Sequence, residues 1–186
     1  MVTNSAVSNL LLLILLLPSG FRAVPQDNSA DVQRKPALVL EAKPTKLVYA
    51  KGETVEFNFT LRNVGGSDLI VPRWLQLKLN VGLDIADSQG KPATWCGRIA
   101  DQIIPSKSRY KTLSYGQSLS AKLAISCIGK DNPQHAWGYQ FDAPGKYVIK
   151  ATYRLPQSKE YFQSLFPNAQ VNRGPVLAEP ATIEVR

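Results

Sequence analysis

The sequence predicts an all-β domain, an antiparallel two-sheet sandwich of seven or eight short strands. Three observations carry this expectation. From Ala37 onward, apolar and polar residues alternate with period two in one short segment after another. That period marks strands with one face buried and the other wet. Gly, Pro, Asn and Asp recur between the segments as turn signals. Helical period is missing from the same region, with Ser158–Phe166 the one stretch that could carry it.

The chain opens on something else. "SNLLLLILLLPSG" contains an unbroken apolar run, Leu10–Leu17. A membrane-spanning helix needs ~20 residues. The run, closed by Pro18-Ser19-Gly20, therefore reads as the core of a signal peptide with Ala23 as the last residue removed. Two features pull the other way, toward a retained anchor: no Lys or Arg precedes the run, and Phe21 is large for its place before the cut. The absence of a following Cys argues against a lipoprotein. The expected organisation is a signal peptide at 1–23, a flexible polar leader at 24–36 and the β-sandwich at 37–186. The mature chain would be secreted or periplasmic, with no spanning membrane segment.

The strands follow in order. "ALVLEAK" (Ala37–Lys43) is the first, and "KLVYAKGE" gives a short second strand with a Lys51-Gly52 turn. In "TVEFNFTLRN", Val55, Phe57, Phe59 and Leu61 alternate with Glu56, Asn58, Thr60 and Arg62. "GGSD" ends it, and "LIVP" is a short strand stopped by Pro72. A long alternation then places Leu75, Leu77, Leu79, Val81, Leu83 and Ile85 on one face, opposite Gln76, Lys78, Asn80 and Asp84. "DSQGK" (Asp87–Lys91) is a hairpin signal, and Pro92–Trp95 is a short return strand. Residues 97–112 are polar and irregular. "SLSAKLAISC" and "FDAPGKYVIKATY" are strands again, and "ATIEVR" is the last. Strands of this number and spacing suit an immunoglobulin-like sandwich, with a small barrel as the alternative.

Charge excludes little but directs attention. The formal net charge is +8. Residues 1–23 carry one Arg and no acid, so the mature value is 8 − 1 = +7. The basic residues are scattered, whereas nucleic-acid binders concentrate them on one face or arm. No nucleic-acid partner is expected. Affinity for an acidic cell-surface polymer is compatible with the charge.

Catalytic and metal-binding sets are lacking. His135 is the only His, and with two Cys it cannot assemble a usual zinc site. No Asp-x-Asp-x-Asp-Gly calcium loop occurs. "GQSLS" has no closing Gly, so it is not a nucleophile elbow. Glu53, Glu56, Asp84 and Asp87 sit where turn and solvent-face residues belong rather than as a glycosidase pair. "NVGGSD" lacks the Lys-Ser/Thr end of a phosphate loop. We therefore expect no enzyme, no catalytic residue, no metal and no cofactor. "NFT" (Asn58–Thr60) fits the glycosylation sequon on a polar face.

Cys96 lies in "TWCGR", which begins like a thioredoxin motif. Position 99 is Ile, so no Cys-x-x-Cys exists. An even pair in an exported chain most simply forms a disulfide. The expected Cys96–Cys127 bridge would pin residues 97–112 to the sandwich.

Two further features bear on binding. Trp74, Trp95 and Trp137 read either as core or rim packing or as ligand contacts, with Trp74 and Trp137 the candidates for stacking on sugar rings. The connection Arg154–Pro180 is far longer than a hairpin loop, typically 2–5 residues. It carries Tyr161, Phe162, Leu165 and Phe166. These aromatic and aliphatic residues either fold back to cap an open edge of the sandwich or form an exposed partner-binding element.

The segments Tyr49–Val71 and Phe141–Tyr153 carry "G-E-x-V-x-F-x-F-T-L-x-N" and "P-G-x-Y-x-I-x-A-x-Y" patterns. They resemble bacterial exported immunoglobulin-like domains and are similar to the Bacillus-type intracellular proteinase inhibitor domain. The resemblance implies a non-catalytic module. No inhibitory loop matches residue by residue, and neither Cys occupies an immunoglobulin disulfide position. The expected function is contact with a protein partner, protease-associated or inhibitor-like in kind. The alternative is carbohydrate binding to a cell-envelope polymer through exposed aromatics.

Overall fold

The computed structural model describes residues 37–97, 106–129, 136–155, 158–172 and 174–186. The expected signal peptide and leader, and His135, lie outside the described residues. Among the described residues ten strands form: β1 (Leu38–Pro44), β2 (Val48–Tyr49), β3 (Glu56–Asn63), β4 (Leu69–Pro72), β5 (Val81–Asp87), β6 (Tyr110–Leu113), β7 (Ser118–Ala124), β8 (Gly145–Tyr153), β9 (Val176–Leu177) and β10 (Ala181–Val185). A helix, α1 (Lys159–Leu165), falls within the Ser158–Phe166 stretch, and a 3-10 turn covers Lys107–Arg109.

The first sheet runs β1-β3-β7 and the second β2-β10-β8-β5, with β9 added beside β8. A two-stranded β4-β6 ladder completes the set. All pairings are antiparallel except β2 with β10. The fold class is the one expected: an all-β antiparallel sandwich. Strand number exceeds expectation because β6 lies in a stretch that reads as irregular, and β9 lies within the long connection.

The period-two segments build the core. On β3, Phe57, Phe59 and Leu61 are fully buried, while Asn58 and Arg62 are exposed. Across from them β8 buries Tyr147, Ile149, Ala151 and Tyr153, and β10 buries Ile183 and Val185. All belong to one hydrophobic cluster. Each large side chain removed from water in this way contributes ~1.5–3 kcal/mol.

The long alternation Leu75–Ile85 is not one strand. Only Val81–Asp87 pairs with β8. Asn80, expected on the solvent face, is 1% exposed. Its Oδ1 accepts from the Gln76 N–H at 2.8 Å, and its Nδ2 donates to the Trp74 carbonyl at 2.8 Å. The Asn80 and Val81 N–H groups both donate to the Gln76 carbonyl, and Lys78 takes a φ of 64°. A short amide side chain can offer the backbone a turn in place of a ladder. Here that local bonding interrupts a segment whose hydrophobic period alone reads as strand.

The other buried amide, Asn63, closes β3. Its Nδ2 donates to the Ser67 and Leu113 carbonyls at 2.8 and 2.7 Å, and its Oδ1 accepts from the Gly65 N–H at 3.0 Å. The "GGSD" turn is thereby tied to β6. The Asp87–Lys91 hairpin forms as expected: Asp87 Oδ1 accepts from the Gln89 and Lys91 N–H groups, and Gly90 supplies a φ of 81°. The return strand Pro92–Trp95 shrinks to two isolated bridges, Ala86–Pro92 and Trp95–Tyr139.

Candidate functional site

Cys96 and Cys127 are joined in a disulfide. The backbone brings them together through Tyr139 and Gly138. The Cys96 N–H donates to the Gly138 carbonyl at 2.9 Å, and the Cys127 N–H donates to the Tyr139 carbonyl at 2.8 Å. Gly138 has a φ of 120°, and a Cβ there would lie 2.2 Å from the Ser126 carbonyl oxygen. Only glycine fits so close a backbone approach.

An aromatic block surrounds the bridge. The Trp95 ring meets Trp137 and Tyr139 edge-on, with centroids 4.8 and 5.0 Å apart. Lys78 Nζ stands 4.9 Å from the centroids of both Trp95 and Tyr139, within cation–π range. Trp137 is half-buried in this block, with its ring edge-on to Trp95. Trp74 is the opposite case, 56% exposed on the loop after β4.

The long connection folds back onto the sandwich. Ser158 caps α1, its Oγ accepting from the Tyr161 N–H at 3.3 Å. Phe162 and Phe166 lie one turn apart on the same face, and both meet the Tyr110 ring edge-on at 5.5 Å. Phe162 is 1% exposed, and Leu165 and Phe166 are half-buried. Phe162 and Phe166 thus pack on Tyr110, Leu165 is half-buried, and Tyr161 is the exposed member of the four, at 39%. The physical reason is that β4-β6 has packing on both faces: Leu69, Val71 and Leu113 belong to the core, and Tyr110 meets Phe162 and Phe166 of the α1 region. Burial pushes the Tyr110 and Tyr153 hydroxyls above the ordinary phenol value, so both stay protonated near neutrality.

The carboxylates have structural tasks. Glu53 accepts from the Ala50 N–H at 2.9 Å and pairs with Lys46. Glu56 pairs with Lys122 at 2.7 Å, Asp87 closes its hairpin, and Asp84 stands in register with Lys150. Among the described residues, no three His, Cys, Asp or Glu side chains gather as a metal site would require. No helix among them is long and apolar enough to cross a membrane.

One juxtaposition is not visible in the sequence. The β4-β6 register pairs Pro72 with Tyr110, and one step further Arg73 meets Arg109. The Arg73 N–H donates to the Arg109 carbonyl at 2.8 Å. Trp74 follows directly. The residues are remote in sequence, and only the strand register brings them together.

No family model matches the chain, and no curated protein does. Among solved structures, the fold is similar to that of a CARDB domain from Pyrococcus furiosus solved in complex with di-metal ions. The two are 14% identical, the match covers 81% of this chain and 93% of that chain, and the TM-score is 0.37. None of these comparisons connects the chain to the Bacillus-type inhibitor domain. The sheets themselves define the class as an immunoglobulin-like β-sandwich domain.

Proposed function

We propose that the chain is an exported, non-catalytic sandwich module that acts through protein contacts. The observation that carries this reading is α1, held on β6 by Phe162 and Phe166 with Tyr161 turned outward. A helix anchored in this way presents its outer side chains without further ordering, and such preorganisation favours binding. Export is supported by the disulfide, which persists in oxidising compartments, and by the apolar run Leu10–Leu17. The non-catalytic character is supported by a single His in the chain and the lack of an activated nucleophile motif. A protease-associated or inhibitor-like role rests on the resemblance of Tyr49–Val71 and Phe141–Tyr153 alone.

Deleting the whole connection is a poor test, because Phe162 and Val176 are buried in the fold. Surface substitution is a better one. The full chain and its Tyr161→Ala and Gln163→Ala variants would be used as bait against envelope extract. Recovery of the main partner is expected to fall at least tenfold in Tyr161→Ala. An unchanged partner set in both variants would remove α1 from the reading.

A further inference from the structure

We infer that the Arg73–Trp74–Arg109 end of the sandwich binds an acidic polysaccharide, with carboxylates on the arginines and a sugar ring on Trp74. This goes beyond the protein-contact reading and does not depend on it.

The starting point is a concentration of positive charge. Just beyond β4-β6 the Arg73 N–H donates to the Arg109 carbonyl at 2.8 Å, which brings the backbones of two exposed arginines together. Nothing in the described structure neutralises them. The four ion pairs involve Glu41, Glu53, Glu56 and Glu184, all with other cations. Residues 69–83 and 106–129 contain no Asp or Glu but six Lys or Arg: Arg73, Lys78, Lys107, Arg109, Lys111 and Lys122. Lys122 is taken by Glu56, and Lys78 is engaged with the Trp95 and Tyr139 rings. Lys111 is half-buried, and Arg73, Lys107 and Arg109 are exposed.

The arrangement is also prepared for a ligand. Arg73 Nε donates to the Ser108 carbonyl at 2.6 Å. This fixes the stem of the guanidinium, and its terminal nitrogens make no hydrogen bond to the described residues. A planar guanidinium with both outer nitrogens available matches a carboxylate in two-pronged fashion. Trp74 is fixed at its backbone, because its carbonyl accepts from the buried Asn80 amide. Its ring is nevertheless 56% exposed, although Trp is highly buried on average. The electron-rich face of an indole suits the C–H face of a pyranose. An exposed apolar ring on the residue next to Arg73, in a segment with Arg109 bonded to it, suits a uronate-type polymer better than a neutral glycan, which leaves the charges uncompensated. An acidic peptide would satisfy the charges but has no such flat C–H face for the indole.

The test uses intrinsic Trp fluorescence and calorimetry on the full chain. The probes are polygalacturonate, neutral dextran and poly-glutamate at 0.15 M salt, where exposed charges are already screened over ~8 Å. Polygalacturonate is expected to bind and dextran not. Trp74→Ala and the double variant Arg73→Gln/Arg109→Gln should each weaken binding at least tenfold, while Trp74→Phe, which keeps a flat ring, should retain most of it. Circular dichroism and thermal melts separate a lost site from a lost fold. Absence of polygalacturonate binding, or equal affinity in Trp74→Ala, overturns the proposal. Poly-glutamate bound as tightly and insensitive to Trp74→Ala makes the patch an acidic-peptide surface and overturns the glycan assignment.

Discussion

The strand β3 and the turn Leu75–Asn80 have the same hydrophobic pattern and opposite structures. Both alternate apolar with polar residues. In β3 Glu56, Asn58, Thr60 and Arg62 alternate with the buried side chains, and the strand lies between two neighbours, β1 and β7. In Leu75–Asn80 the last polar residue turns inward, and its amide replaces ladder bonds with local ones. A periodic pattern therefore states which side chains are apolar, but the backbone follows whichever partner satisfies its N–H and C=O groups first.

Three substitutions test this contrast. The largest effect is expected in β3: Phe59→Ala removes a fully buried ring and should cost about 3–5 kcal/mol, read from urea midpoints. Next is the staple. Replacing Cys96 and Cys127 together by Ala opens a loop with a sequence separation of 31. The chain-entropy argument gives a loss of about 3–4 kcal/mol, and a loss below 1 kcal/mol would show that the aromatic block holds this region without the bridge. The smallest effect belongs to the turn. Asn80→Ala leaves the Gln76 N–H and the Trp74 carbonyl without their side-chain partner and should cost about 1–3 kcal/mol. If Asn80→Ala instead left stability unchanged and amide exchange at Gln76 stayed slow, the turn would be set by the Lys78 backbone and not by the amide.

Much of the sandwich was legible. β1, β3, β7, β8 and β10 each follow a period-two segment, since each has one face on a shared core. The disulfide was legible too, because the chain holds two Cys without a Cys-x-x-Cys spacing and so offers a single pairing. β6 was not legible. "YKTL" has two apolar ends around Lys111 and Thr112, and it becomes a strand only because Leu69–Pro72 lies alongside it. The fate of the long connection was legible as a choice but not as an outcome. Phe162 and Phe166 sit four apart, which allows one helix face; that Tyr110 would be waiting beneath them depends on β6. Arg73 and Arg109 were hidden for the same reason. Neither residue carries a motif, and their meeting is a product of strand register.

The order β2-β10-β8-β5 has a consequence for biosynthesis. β10 follows the other nine described strands in chain order, yet it lies between β2 and β8, bonded in parallel to one and antiparallel to the other. The Lys51 N–H also reaches the Arg186 carbonyl, and the Arg186 N–H reaches the Tyr49 carbonyl. Until residues 181–186 are released, β2 has no neighbour and the second sheet has a missing slat. Such distant pairing is slow and late. A growing chain therefore keeps this sheet open until β10 has been made, and closure of the sandwich waits on the pairing of segments far apart in sequence.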